Sequence, residues 1–203
     1  MRKRRLGRTR LYGLLDPNLY KMPYCKEASR ADKCLDYETF MEVVLQFYNK
    51  IVELKQQSSL LTFKVWSSYL ALTLIMLING LRVREALRVA KRFYETGDRK
   101  VTIEAVKRGN RRTAIIPDFI IREDLEYIYK RLIKAGEDRV RKSVLVWLKG
   151  VFRVNPHSIR YAFIRYYTLT GRTQEEIARA LGLREARSVK RYYLKWLPLG
   201  VEG

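Results

Sequence analysis

Arginine, lysine, tyrosine and a single histidine are the residue types of this chain that could do chemistry together, and their chemistry suits phosphate. A guanidinium binds two phosphate oxygens at once and stays protonated, whereas an imidazole exchanges protons near neutral pH. A phenol is a poor nucleophile at its ordinary pKa of about 10, so it needs surrounding cations that favour the phenolate. The sequence shows no recognisable zinc site and no spaced acidic cluster, so we expect neither a metal nor another cofactor. This set predicts metal-free chemistry on a phosphodiester.

Four short motifs place these residue types at spacings that one active site could use. The first follows a long apolar segment, the second lies in a basic hairpin, the third begins a helix, and the fourth lies near the end of the sequence. His157 and Arg160 are three residues apart, so a helix would present them on one face. In order, the motifs are Gly80-Leu81-Arg82 with Glu85, Lys107-Arg108-Gly109-Asn110 closed by Pro117, His157-Ser158-Ile159-Arg160, and Leu181-Gly182 followed by Ser188-Val189-Lys190-Arg191-Tyr192-Tyr193.

In this order the four motifs resemble the signatures of the tyrosine recombinase family, which includes the phage-type integrases. The resemblance covers about residues 36–197 and implies a catalytic domain with the DNA breaking-rejoining fold. It implies a site-specific recombinase that cleaves and rejoins double-stranded DNA through a 3′-phosphotyrosine intermediate, as a homo-tetramer on two DNA sites. Integration of a viral or plasmid genome is the setting that it fits best.

The resemblance also implies roles for individual residues. Arg82 and Arg160 would bind the scissile phosphate, and Lys107 would protonate the departing 5′ oxygen. His157 would take part in proton transfer, and Glu85 would support the site.

Two adjacent tyrosines are the candidates for the nucleophile. Tyr192 is the expected one, because it lies 32 residues (192 − 160) after Arg160, in the family register; Tyr193 is the alternative. The family usually has His or Trp directly after the Leu-Gly pair, where this chain has Leu183. Arg184 is a candidate substitute one position over, and it would fit the Tyr193 register.

The remaining basic residues near the motifs are expected to bind the DNA backbone. Forty-two lysines and arginines stand against 21 acidic residues, giving a net charge of +21 and a pI near 10.2, which favours a polyanionic partner. Arg108 or Arg111 could also take the place assigned to Lys107, since the loop is one residue longer than in the family. The expected DNA-binding residues are Arg108, Arg111 and Arg112 at the hairpin tip, and Lys190 and Arg191 beside the tyrosines.

A membrane surface is the rival partner for so basic a chain, and one apolar stretch raises the question of a span. Residues 65–81 are 17 in number and include Ser67, Ser68, Thr73 and Asn79. A spanning helix needs about 20 consecutive apolar residues. We therefore predict a buried core helix, no membrane partner, and a cytoplasmic location on the host's DNA.

Apolar periodicity and capping residues predict a mainly α protein with a small β-hairpin, an α+β fold. Residues 1–35 are expected to form a basic N-terminal extension and residues 36–203 the catalytic domain. Helices are predicted from the Asp36 cap, over about 61–79 and 83–93, over about 121–132 before Gly136, from Asn155-Pro156, from the Thr173–Glu176 capping box, and over about 186–196; strands are predicted over 100–106 and 113–116.

Two alternatives remain at the sequence level. Residues 173–183 followed by 188–196 could form a helix-turn-helix, which favours a non-enzymatic DNA-binding regulator. That reading leaves Arg82, Lys107 and the His157–Arg160 pair unexplained. A type IB topoisomerase shares the tyrosine chemistry and would relax supercoils as a monomer.

Overall fold

The computed structural model describes residues 35–57, 61–104 and 111–189. This part of the chain is mostly helical and contains one two-stranded antiparallel sheet, which confirms the predicted α+β class. In chain order the elements are α1 (Tyr37–Gln57), α2 (Leu61–Asn79), α3 (Val83–Thr96), β1 (Lys100–Glu104), β2 (Arg111–Ile115), a 3-10 turn (Arg122–Asp124), α4 (Glu126–Phe152), α5 (Pro156–Leu169) and α6 (Gln174–Ala180).

The predicted helix caps form as expected. The Asp36 carboxylate accepts a hydrogen bond from the backbone N–H of Thr39 at 3.0 Å, and the Asn155 side chain accepts one from the N–H of His157 at 3.0 Å. Thr173 and Glu176 exchange the two bonds of a capping box, at 3.2 and 2.9 Å. These caps begin α1, α5 and α6 at the expected places.

Helix α2 is the centre of the core. It packs against α1, α3, α4 and α5, and 13 of its residues are buried, among them Leu70, Leu74 and Ile75 at 0% exposure. By length and composition α2 could cross a membrane, but the surrounding helices cover most of it. The prediction of a buried core helix is confirmed.

The predicted helix end at Gly136 is confirmed, and two other predicted boundaries are wrong. Gly136 has a non-helical backbone (φ 77°, ψ 162°), so α4 consists of two helical parts separated by a kink at this glycine. The first part begins at Glu126 rather than near residue 121, because residues 122–124 form the 3-10 turn. Strand β2 begins at Arg111, two residues earlier than predicted, and pairs with β1 in a register that sets Arg112 opposite Ile103. Arg112 therefore belongs to the strand, and it is buried on the same face as Ala114.

A second, smaller apolar cluster fixes the segment that follows α5. Ile177, Leu181 and Val189 pack with Phe163 and Ile164 of α5, and all are buried. This cluster holds α6 and the turn at residues 181–183 against the end of α2, because Leu181 also lies beside Gly80.

Candidate active site

The turn between α2 and α3 positions the first motif. Gly80 has φ +58°, the left-handed conformation, and the N–H of Leu81 bonds to the carbonyl of Met76 at 3.0 Å, as in a Schellman motif. A Cβ at Gly80 would lie 2.7 Å from Leu181 and 2.8 Å from Phe163. The turn therefore needs glycine both for its backbone angle and for its close neighbours.

The Glu85 carboxylate is the centre of a buried cluster of arginines. It is 0% exposed and accepts hydrogen bonds from the backbone N–H and the Nη1 of Arg82, each at 2.9 Å. Its Oε2 lies 3.3 Å from Nη2 of Arg112 and 3.7 Å from Nη1 of Arg160. Arg82, Arg112 and Arg160 come from three distant segments of the chain, so Glu85 joins α3, β2 and α5 at one point.

Arg160 is held mainly by backbone carbonyls. Its Nη1 donates to the carbonyl of Gly80 at 2.7 Å and its Nη2 to the carbonyl of Leu181 at 3.3 Å, and the residue is 6% exposed. These two bonds tie the start of α5 to the turn after α2 and to the turn after α6. The guanidinium is thereby fixed in position before any ligand arrives.

The charges of the cluster do not cancel. Three guanidiniums stand against one carboxylate, a surplus of two positive charges. Burial, and next the Arg82 charge, lower the pKa of Arg160 to about 9, so it stays a cation at neutral pH. Burial also lowers the pKa of Arg112, although Glu85 opposes the change. Such a surplus, already in place, suits an anionic ligand.

Glu85 itself remains ionised. Burial alone would raise the pKa of its carboxyl group, but the Arg112 charge, the N–H of Arg82 and the other two guanidiniums outweigh burial and leave the pKa below its ordinary value. The pKa of Arg112 falls although Glu85 is ionised beside it. One carboxylate charge among three guanidiniums does not offset the effect of burial on Arg112.

A cleft of about 310 Å³ opens beside this cluster. It brings together three of the residues that the motifs predicted, Arg82, His157 and Arg160, and no carboxylate of a described residue lines it. Apolar walls from Val83, Leu145 and Pro156 reduce the access of water, which strengthens electrostatic attraction inside. The complete lining is Arg82, Val83, Arg84, Arg141, Leu145, Pro156, His157 and Arg160.

His157 lies at the mouth of this cleft, at the exposed first turn of α5. Its backbone N–H serves the Asn155 cap, so the imidazole is not needed to begin the helix. Arg160 lies one turn further on and points inward. The predicted common face of the two residues is therefore formed, with the imidazole exposed and the guanidinium buried.

Arg112 was expected at an exposed hairpin tip, and that expectation is wrong. The residue is 6% exposed and bonds to Glu85, to the carbonyl of Ala180 at 3.0 Å and to the carbonyl of Asn79 at 3.4 Å. The Asn79 amide also exchanges two bonds with the backbone of Ile115, at 2.7 and 2.8 Å, which anchors β2 to the end of α2. Arg112 is part of the buried cluster.

Sequence reasoning missed two arginines of the cleft and gave Arg112 the wrong role. The two are Arg84 and Arg141, which line the cleft and both lie beside Asp138. A signal for Arg112 existed: it shares the period-two alternation of Ala114 and Ile116, whose side chains are buried. Arg84 and Arg141 depend on how α3 packs on α4, which has no local signature.

Arg184 does not line this cleft. It is exposed and lines a separate depression with Arg111 and Arg179, beside the turn at Gly182. The neighbouring Leu183 is half-buried and packs on the small apolar cluster. The remaining site predictions, Lys107, Arg108, Lys190, Arg191, Tyr192 and Tyr193, lie outside the described residues.

Comparison with known proteins gives one partial similarity. Over 117 residues the chain is 33% identical to a protein of Acidianus two-tailed virus that is named "Putative integrase ORF241". The match covers 58% of this chain and 47% of the viral protein, so the chain spans about half the length of that relative. No family model and no solved structure matches the chain.

Proposed function

We propose that this chain is the catalytic part of a tyrosine-type site-specific recombinase, an integrase that cleaves and rejoins DNA without metal or ATP. The single observation that carries the proposal is the cleft in which Arg82, Arg160 and His157 meet without a facing carboxylate. Positive charge that is already ordered is what a phosphodiester needs as negative charge grows on its oxygens during attack. The partial similarity to a viral integrase supports the same class of reaction.

The proposed reaction assigns each group one task. The Tyr192 phenolate, or that of Tyr193, attacks phosphorus, and the bond to the 5′ oxygen breaks. Lys107 protonates that departing oxygen, and a 3′-phosphotyrosine forms. Arg82 and Arg160 bind the non-bridging oxygens, and His157 exchanges a proton at the rim. A 5′ hydroxyl of another strand then attacks the phosphotyrosine and releases the tyrosine. One phosphodiester bond is broken and one is formed, so the exchange needs no ATP.

In this proposal Glu85 and Arg112 position the phosphate-binding arginines. Glu85 holds Arg82 at 2.9 Å, which leaves the Arg82 side chain 25% exposed toward the cleft. Arg112 helps to balance the buried carboxylate through its contact at 3.3 Å, with only 3% of its side chain exposed. Arg82 is thus the member of the cluster that a DNA phosphate reaches most readily.

A non-catalytic DNA-binding regulator is the second candidate. The observation that favours it is the α6 unit, in which a capped helix, the turn at Gly182 and a following helical turn pack on α5 as one body. A regulator of this kind would form reversible, salt-sensitive complexes only. Reversible DNA binding by a regulator does not require a buried arginine cluster with surplus positive charge.

Trapping on a suicide substrate tests the proposal. A pool of random-sequence duplexes, each nicked so that cleavage releases a short fragment, is incubated with the protein and then denatured. We expect DNA to stay bound through denaturation, and sequencing of the trapped DNA identifies the target. Tyr192→Phe should abolish trapping, or Tyr193→Phe should do so if that residue is the nucleophile.

Two results would contradict it. Reversible binding with no DNA retained after denaturation would favour the regulator, and equal trapping by wild type and both phenylalanine variants would overturn the nucleophile assignment. Relaxation of a supercoiled plasmid by a monomer, without strand exchange between two sites, would point to a topoisomerase. A complex of four protein chains on two trapped sites would support the proposed tetramer.

A further inference from the structure

A second basic depression, with a volume of about 330 Å³, lies on the side of the turn at Gly182. Arg111 reaches it from the start of β2, Arg179 from α6, and Arg184 from the turn that follows. All three arginines are exposed, and Glu175 is the one acidic residue among the described residues that line it. The depression therefore carries a surplus of positive charge on a surface open to solvent.

These three arginines differ from many others on the surface. None of them forms an ion pair with a residue of the described ranges. Several other surface arginines lie 3.5 Å or less from a carboxylate, among them Arg84, Arg88, Arg99, Arg141 and Arg172. Three arginines that line one depression and have no carboxylate partner among the described residues form a surface that suits the oxygens of phosphate.

The depression shares a wall with the cluster that forms the cleft. The carbonyl of Ala180 accepts a bond from Arg112, and the carbonyl of Leu181 accepts one from Arg160. The next residue, Gly182, lines the depression, and Arg111 is the neighbour of Arg112 in β2. Buried Arg112 and Arg160 are thus bonded to the carbonyls of residues 180 and 181, while the flanking Arg179 and Arg184 are exposed.

We propose that this depression binds a backbone phosphate of the DNA duplex other than the phosphate in the cleft. The inference rests on the proposed function, and it makes Arg184 a DNA-anchoring residue rather than a substitute ligand within the cleft. Binding there would hold the duplex against the segment 180–182, whose carbonyls orient Arg112 and Arg160. The contact is to phosphate, so it adds affinity and register without reading base sequence.

Salt titration of DNA binding tests the inference on the full chain. The probe is a short duplex of arbitrary sequence, and the variants are Arg111→Gln, Arg179→Gln, Arg184→Gln and the triple change. The slope of log K against log salt should become shallower by about 0.9 in the triple variant, which loses the one proposed phosphate contact, and by a part of that in each single variant. Arg172→Gln is the matched control, since Arg172 is 58% exposed and is paired with Glu176; its slope should equal that of wild type.

The outcomes separate this inference from the proposed function. An unchanged slope in the triple variant overturns the inference, even if wild-type protein is trapped on DNA. A shallower slope in a protein that never forms a covalent complex supports the inference and contradicts the recombinase. Weaker binding to phosphatidylserine vesicles together with unchanged binding to DNA would also overturn it. If the triple variant does not fold, the three single variants test the inference, and slopes equal to wild type in all three overturn it.

Discussion

The carbonyl oxygen of Gly80 accepts a hydrogen bond from Nη1 of Arg160 at 2.7 Å, across 80 positions of the sequence. A turn that ends one helix thus holds a guanidinium at the start of another. The contact is close because Gly80 has no side chain: Leu181 and Phe163 occupy the space that a Cβ would need. This bond and the ion pair of Arg160 with Glu85 at 3.7 Å join the first and third motifs of the sequence.

Gly80→Ala is expected to lower the free energy of unfolding by disturbing the turn between α2 and α3. The left-handed backbone costs alanine about 1–2 kcal/mol, and crowding against Leu181 and Phe163 adds about 1–3 kcal/mol. Thermal or urea unfolding should show the combined loss. Gly171→Ala is the control, because φ there is +84° but no atom lies within 4 Å of a Cβ; it should cost the backbone contribution alone. Equal losses in the two variants would show that the close contact does not matter.

Glu85→Gln tests the charge balance of the buried cluster. Removing the only carboxylate at its centre leaves Arg82, Arg112 and Arg160 facing one another, and we expect a loss of about 3–5 kcal/mol in unfolding free energy near pH 7. The exposed Glu42→Gln should change stability by no more than about 0.5 kcal/mol.

The pH dependence of that loss has a definite sign. The pKa of Glu85 is lower in the folded state than in the unfolded chain, so its contribution is complete above the ordinary glutamate pKa of about 4.3 and disappears as the pH falls through the folded value. The gap between wild type and Glu85→Gln should therefore narrow in acid. A gap that stays constant from neutral pH to below pH 4 would mean that Glu85 does not stabilise the fold through its charge.

Arg160→Lys tests whether a guanidinium is needed at that position. A lysine cannot bond to the carbonyls of Gly80 and Leu181 and at the same time offer a planar fork to a phosphate. We expect the rate of covalent trapping at saturating DNA to fall about 100- to 1000-fold. Arg82→Lys, at a more exposed position, should also slow trapping and gives a second test if the Arg160 variant is unstable. Normal trapping by both lysine variants would show that the guanidiniums of Arg82 and Arg160 are not required for the reaction.

Arg112→Met separates a positioning arginine from a DNA-binding one. Methionine has a similar length but loses the bonds to Glu85, Ala180 and Asn79, so we expect a stability loss of about 3 kcal/mol or more. Under conditions in which the variant remains folded, its slope of log K against log salt for DNA binding should equal that of wild type, because the Arg112 side chain is buried. A slope as shallow as that of Arg111→Gln would mean that Arg112 contacts DNA.

The sequence predicted the elements whose signals are local. The bounds of α2 agree with the structure, because an unbroken apolar run ends at a glycine that can take the left-handed conformation. The Asn155 cap and the Thr173–Glu176 box begin their helices where expected, since capping depends on residues within one turn.

The same locality explains which parts of the site could be predicted. Arg82, His157 and Arg160 were identified by motif, and they line one cleft. The partners of Arg160 could not be identified, because the carbonyls of Gly80 and Leu181 approach it only once α2, α5 and α6 have packed. The orientation of Arg112 depends on whether β2 extends back to it, because only a residue within the strand follows the alternation that buries Ala114.

Identification of the residue that becomes linked to DNA tests the central claim most directly. After trapping, the complex is digested with nuclease and trypsin, and the peptide that carries the nucleotide is sequenced by mass spectrometry. Trypsin cleaves after Arg191 and Lys195, so the peptide Tyr192-Tyr193-Leu194-Lys195 contains both candidates. We predict a nucleotide on one of these two tyrosines, formed by wild type and strongly reduced in Arg160→Lys. A nucleotide linked to any other residue, or none under conditions in which DNA is bound, would contradict the account.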